Sequence, residues 1–352
     1  MPSIRFVDLR YEPPLGTERL FSASLLEALG TTIARGESAI LFLNRRGFGR
    51  FLLCSACGQP LRCPNCSIAM THHVRPERLT CHYCDHTRGV PEACPACGSS
   101  DVEILGFGTE RVEEEVARLV PGVRAVRLDS DTSSAGALDR ILAAFRKGEY
   151  NVLVGTQIVA KGHDFPSVTL VGVLLAEQSL AFPDFRAAER TFQILTQVAG
   201  RAGRGDLPGS VIVQTYDPDQ YALRFAATHD FLGFAVTENR GRRERGYPPH
   251  AYLAAIEVSG TDGAAAGQLA DRVRDYLEQF AALEPPADGR ITLLGPAKAA
   301  IERIKGRSRF QILLKCRSRS LLNRVLWRLS RTLPRDRTDT RVIIDVDPVN
   351  ML

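Results

Sequence analysis

The chain has 352 residues, 44 % of them hydrophobic and 24 % charged, which suits two or three domains with real cores and excludes a disordered or low-complexity chain. No run of about 18 apolar residues occurs and the start, MPSIRFVDLR, has no apolar signal core, so a membrane partner is not expected and a cytoplasmic protein is. The net charge of +5 argues little, but residues 297–341 hold 14 Lys or Arg against 3 Asp or Glu, a local field that attracts phosphates.

In chain order, residues 18–35 read as a helix with Leu20, Leu25, Leu26, Leu29 and Ile33 near one face, stopped at Gly36. Residues 39–43 (AILFL) read as a strand buried on both sides. A cysteine-rich segment follows. Then come a helix at 109–119, a strand at 123–128, a helix at 136–145, strands at 151–154 and 168–175, a helix at 186–198 and a strand at 210–214. Such alternation predicts an α/β domain with a parallel sheet, into which the cysteine segment is inserted. The Arg-rich stretch 240–245 before Pro248-Pro249 reads as a domain boundary. Beyond it, strands at 252–258, 291–294, 309–316 and 341–346 with helices at 263–283 and 320–333 predict a small α+β domain. The expected division is 1–50 and 104–240 for the α/β domain, 51–103 for the insertion and 241–352 for the C-terminal domain.

Eight of the nine cysteines form four CxxC pairs: Cys54/Cys57, Cys63/Cys66, Cys81/Cys84 and Cys94/Cys97. A CxxC turn aims two thiolates at one point, and two turns complete a closed tetrahedral S4 site, so the set predicts two structural zinc ions. Spacing leaves two arrangements open, nested (outer pairs together, inner pairs together) and sequential. His72, His73, His82 and His86 are surplus to such sites and read as facing solvent or bases; Cys316 reads as a small core residue.

Residues 156–166 (TQIVAKGHDFP) follow a buried strand, where ligands of parallel sheets bind. In residues 197–204 (QVAGRAGR), Arg201 and Arg204 lie three apart, as suits charge stabilisation of a transferring phosphoryl group; the alternative is a solvated basic helix end. Gly108-Thr109 opens a helix whose amides can meet a phosphate. These two segments resemble motifs V and VI of superfamily 2 helicases, and LFLNRRG (41–47) resembles motif IV. With the CxxC block, the phrases GFGTERVEEEVARL and PDFRAAERTFQILTQVAGRAGR and the final IDVDPVNML, nearly the whole chain resembles the primosomal protein N′ family of replication-restart DNA helicases.

The resemblance implies a RecA-like second helicase lobe and nested zinc pairing: Cys54, Cys57, Cys94 and Cys97 for one ion, Cys63, Cys66, Cys81 and Cys84 for the other. It implies that Asn44, Thr156 and Gln157 meet DNA or couple it to ATP, that Gly162 and Asp164 line the nucleotide, and that Gln197, Arg201 and Arg204 face the γ-phosphate. It implies ATP-dependent 3′-to-5′ unwinding, recognition of branched or single-stranded DNA, and single-stranded-DNA-binding protein and other primosome proteins as partners. A non-catalytic zinc-dependent DNA-binding scaffold is the rival. An RNA helicase lobe shares the motifs, but the cysteine block argues against it.

No Walker A GxxxxGK[ST] and no DExH motif for magnesium occurs, so the chain is expected to be a part of a longer protein, or a truncated product, with negligible ATPase activity alone. In the C-terminal domain Lys298 and Arg307 belong to a basic strand region. Arg324, Arg328, Arg331 and Arg335 put a cationic stripe on one helix face, opposite Leu322, Val325, Leu326 and Leu329, and read as phosphate contacts. Trp327 is expected in the core.

Overall fold

The computed structural model describes residues 2–17, 19–43, 51–65, 69–74, 77–105, 108–128, 136–156, 165–181, 184–200, 202, 208–284, 290–333, 339–349 and 351. In chain order the elements are β1 (Ser3–Asp8), α1 (Ala23–Ala34), β2 (Ser38–Phe42), β3 (Phe51–Cys54), β4 (Thr71–Val74), β5 (Glu77–Thr80), β6 (Thr87–Arg88) and β7 (Val102–Leu105). Next come α2 (Thr109–Leu119), β8 (Ala125–Leu128), α3 (Ala137–Arg146), β9 (Val152–Gly155), β10 (Val168–Val173), α4 (Glu177–Leu180), α5 (Ala187–Ala199), β11 (Ser210–Thr215), α6 (Tyr221–Ala227) and α7 (Phe231–Arg245). The chain then forms β12 (Tyr252–Gly260), α8 (Gly263–Ala282), β13 (Ile291–Ile304), β14 (Arg307–Cys316), α9 (Arg319–Thr332) and β15 (Arg341–Val346).

Six strands form a parallel sheet in the order β1-β11-β10-β2-β9-β8. The inner strands β2, β9 and β10 are buried at every position, because helices cover both faces. On one side α1 and α2 pack Leu25, Leu29, Val112 and Val116 on the sheet. On the other, α3, α5, α6 and α7 contribute Leu142, Phe145, Phe192, Leu195, Leu223 and Phe234.

The sequence placed the start of the first helix too early. Ser22 is the N-cap, its hydroxyl accepting from Leu25 N, and residues 15 and 21 pair as a β-bridge. Strand β1 went unread, although it pairs along its whole length with β11. The Arg-rich stretch is not a linker but the last turns of α7, where Arg242, Arg243 and Arg245 suit the helix dipole and Gly246 ends the helix at φ 62°.

The cysteine segment leaves after β2 and returns before α2 as an antiparallel sheet in the order β6-β5-β4-β3-β7. Its first and last strands pair, Phe51 with Leu105 and Cys54 with Val102, so entry and exit lie side by side. That pairing lets a whole sheet be inserted without parting the elements around it.

The C-terminal elements run β-α-β-β-α-β in an antiparallel sheet of order β13-β14-β12-β15, a ferredoxin-like arrangement. Helices α8 and α9 cover one face with Val273, Leu277, Leu322, Val325 and Leu329. Leu253 and Leu313 instead share a core with Leu52, Leu61, Met70, Leu79 and Tyr83 of the cysteine-bearing sheet, and Met351 closes it. Among the described residues no helix is long and apolar enough to cross a membrane.

Candidate metal centres and nucleic-acid face

Cys54 ends β3, Cys57 follows in a turn, and Cys94 and Cys97 occupy a second turn of the same build. Gly58 N donates to Cys54 O at 2.8 Å and Gly98 N to Cys94 O at 2.9 Å, with both glycines left-handed at φ 75° and 78°. The turns bring Cys54 Sγ to 3.7 Å from Cys97 Sγ and Cys57 Sγ to 3.8 Å from Cys94 Sγ, and all four sulfurs lie within 4.8 Å of one another. A tetrahedron of sulfurs around zinc, with bonds of about 2.3 Å, has edges of about 3.8 Å, so the donor set fits that ion. Burial, with the neighbouring thiols adding to it, pushes the Cys57 thiol up to about 12. Burial also opposes ionisation of Cys94, but amides of Ala96 and Cys97 outweigh it and bring that thiol down to about 7. A divalent cation removes the conflict among four close sulfurs.

Cys63, Cys81 and Cys84 form the second group, with Cys63 and Cys84 sulfurs 3.6 Å apart. The Cys81 turn repeats the pattern: Asp85 N donates to Cys81 O at 2.9 Å, and Asp85 takes the left-handed place at φ 59°. Cys66 lies outside the described residues. The grouping is nested, outer pairs together and Cys63 with the Cys81/Cys84 pair.

The nearby histidines do not all face solvent as expected. His72 and His82 are buried, because the C-terminal domain covers this sheet. His82 Nδ1 lies 2.8 Å from Lys298 O and His73 Nδ1 3.1 Å from Glu302 Oε1. Cys316 is buried in the C-terminal core, as its sequence context suggested.

Thr156 follows β9 and is buried. Leu43 N donates to Gly155 O at 3.0 Å, so the segments after β2 and β9 leave the same end of the sheet together. Gly108 is the N-cap of α2 with no side-chain cap, and Thr109 is its buried first residue. Gln197 is exposed near the end of α5. Asn44, Gln157, Gly162, Asp164, Arg201 and Arg204 lie outside the described residues.

The predicted C-terminal cations carry acidic partners. Lys298 Nζ pairs with Glu302 at 3.1 Å and Arg307 with Asp339 at 3.1 Å. Glu284, buried past the end of α8, accepts from Arg324 at 2.7 Å and from Arg328 at 2.6 Å. Nothing in the spacing of the arginines pointed to Glu284. Trp327 is not in the core: it is 61 % exposed, with Arg331 over its ring at 5.3 Å.

Three family models match in order. Residues 63–88 match the PriA DNA helicase Cys-rich region, 99–206 the helicase conserved C-terminal domain, and 243–349 the primosomal protein N C-terminal domain. The replication restart protein PriA of Bacillus subtilis is 44 % identical over 348 residues, covering 99 % of this chain and 42 % of that protein. The chain belongs to the PriA family. The PriA of Synechocystis is 39 % identical, over 100 % of this chain and 42 % of its own length, and that of Treponema pallidum 36 %, over 100 % and 52 %. The chain thus spans about half the length of the PriA relatives it matches. The C-terminal domain of the DEAD-box protein Dbp5 is 15 % identical with a TM-score of 0.33, over 66 % of this chain and 86 % of that one, a likeness too slight to build on. Within the PriA family, the parallel sheet is a RecA-like helicase C-terminal lobe, the inserted sheet a cysteine-rich zinc-binding region, and the antiparallel sheet the PriA C-terminal domain.

Proposed function

We propose that this chain supplies the second motor lobe, the zinc-bearing insertion and the C-terminal DNA-binding domain of an ATP-dependent 3′-to-5′ DNA helicase. That helicase engages stalled or branched replication forks in the cytoplasm and begins primosome assembly, with single-stranded-DNA-binding protein among its partners. The observation that carries the reading is the splice of a cysteine-bearing sheet between β2 and α2 of a six-stranded parallel sheet, together with the PriA matches on both sides of it.

In this reading two zinc ions are held by Cys54, Cys57, Cys94 and Cys97 and by Cys63, Cys66, Cys81 and Cys84. Their work is structural, since no ligand position stays open. Gln197, Arg201 and Arg204 meet the γ-phosphate, and Gly162 and Asp164 line the nucleotide. Asn44, Gly108, Thr109, Thr156 and Gln157 track the DNA strand, and Lys298, Arg307, Arg324 and Arg328 meet its phosphates. ATP and Mg2+ are brought by a lobe with the Walker A and DExH motifs that these 352 residues lack. That lack favours a second reading, a non-catalytic zinc-dependent scaffold for DNA and primosome proteins.

Binding of forked, duplex and single-stranded DNA by the zinc-loaded chain, followed by fluorescence anisotropy over a salt series, tests the DNA part of both readings. The expected result is tightest binding to the fork, weakening steeply with salt. Equal and negligible binding to all three would overturn it. ATP turnover separates the motor from the scaffold.

A further inference from the structure

Helices α4 to α7, Arg62 of the cysteine-bearing sheet and Tyr247 at the start of the C-terminal domain enclose a cavity of about 430 Å3. That is room for a small organic ligand, for which sites span about 300–1,000 Å3. None of the helicase motifs lines it.

We propose that this cavity is a phosphate-binding pocket, in which Arg62 and Arg245 grip a phosphate carried by a nucleotide or by a DNA strand.

Three arginines, Arg62, Arg242 and Arg245, face the cavity against two carboxylates, Asp184 and Glu238. The carboxylates are committed. Glu238 accepts from Arg242 Nε at 2.7 Å and from the Tyr221 hydroxyl at 2.6 Å. Asp184 pairs with Arg190 at 2.9 Å. Arg242 is committed too, with its other end on Glu189 at 2.5 Å, and serves as a fixed floor. Arg245 donates to Gly241 O at 3.1 Å, a neutral acceptor that leaves its charge uncancelled. Arg62 is exposed and comes from a different sheet. Two guanidiniums brought from separate elements to one cavity offer forked donors suited to phosphate oxygens.

The wall beside them is rigid and aromatic. Phe185 and Tyr247 stack with centroids 4.7 Å apart and planes 6° apart. Arg242 lies over Phe185 at 5.2 Å and Lys315 over Tyr247 at 4.3 Å, so the stack is clamped between cations. Leu180, Ala187 and Ala188 supply an apolar side against which the non-phosphate part of a ligand can rest.

The test is calorimetric titration of the zinc-loaded chain with inorganic phosphate, AMP and a short oligothymidylate, alongside Arg62→Ala, Arg245→Ala and the charge reversal Arg62→Glu. The expected result is binding of at least one probe, weakened at least about tenfold by each alanine substitution, the loss of a charge-assisted contact, and abolished by Arg62→Glu. Zinc content and circular dichroism should stay unchanged; Arg62, being exposed, leaves no hole when shortened. Sensitivity of phosphate and AMP assigns the pocket to a small ligand, and sensitivity of the oligothymidylate alone assigns it to a strand. No binding of any probe, or affinities that Arg62→Glu leaves unchanged, would overturn the proposal. Binding of inorganic phosphate does not depend on the helicase reading, so the two can fail separately.

Discussion

The Nδ1 atom of His82 lies 2.8 Å from the carbonyl oxygen of Lys298, joining a residue beside a cysteine ligand to strand β13 of the C-terminal domain. Around that contact Leu79 and Tyr83 share a core with Leu253, Leu313 and Met351. The metal-binding turns therefore hold one wall of the C-terminal domain's second face. Chelation of the metal should lower the melting temperature and speed amide exchange in β12 and β14, not only in β3 to β7. Hydrogen exchange by mass spectrometry measures this, and exchange that changes in the cysteine-bearing sheet alone would contradict it.

Gln214 is a buried junction in the motor lobe. Its amide group donates to Leu20 O at 2.8 Å and Leu174 O at 2.9 Å, and its carbonyl accepts from Ser22 N at 2.7 Å. Gln214→Ala leaves three backbone groups unpaired away from water. The expected cost is about 3 kcal/mol or more, read as a lower urea midpoint with an unchanged slope.

Glu177 is fully buried, and burial raises its carboxyl to about 6 although Thr215 Oγ1 and the amides of Tyr216 and Asp217 donate to it. The folded pKa lies above the ordinary value of 4.5. Between these two values the folded chain keeps a proton that the unfolded chain has released, so stability falls as pH rises through that window and levels off above it. The loss is on the order of 2 kcal/mol. Denaturation of Glu177→Gln at pH 4.5 and 7 should show that share of the pH dependence removed, and an identical dependence in both proteins would refute the assignment.

Glu284 holds Arg324 and Arg328 side by side on α9. If these arginines meet DNA phosphates, replacing both with alanine should weaken binding to every DNA sequence alike and reduce the salt slope by roughly two. Glu284→Ala should strengthen binding, by releasing two charges, at some cost in stability. An unchanged salt slope in the double variant would exclude the role.

Much of the motor lobe was legible in the sequence because fully buried parallel strands are continuous apolar runs, as in β2 and β10. Strand β1 was not, since its alternating exposure marks an edge position that only its partner β11 explains. The CxxC pairs revealed metal sites, but the choice between nested and sequential grouping depends on β3 meeting β7, a long-range pairing that local spacing does not encode. His72 and His82 were misjudged as facing solvent for a like reason: what covers them comes from the far end of the chain. Trp327 was placed inside because it is large and apolar, yet it falls on the polar face of α9, opposite Leu322 and Val325.

Zinc content should be two per chain by elemental analysis. Cys54→Ser and Cys63→Ser should each lower it to one, because the two belong to different groups of sulfurs. A single ion in the unaltered chain would break the ligand assignment.

ATP turnover tests the motor reading most directly. The chain alone should hydrolyse no ATP with or without DNA. The same 352 residues joined behind the preceding part of the Bacillus subtilis relative should show DNA-stimulated turnover, lost roughly a thousandfold in Arg204→Ala. Turnover by the chain alone, or a joined protein indifferent to Arg204→Ala, would contradict the account.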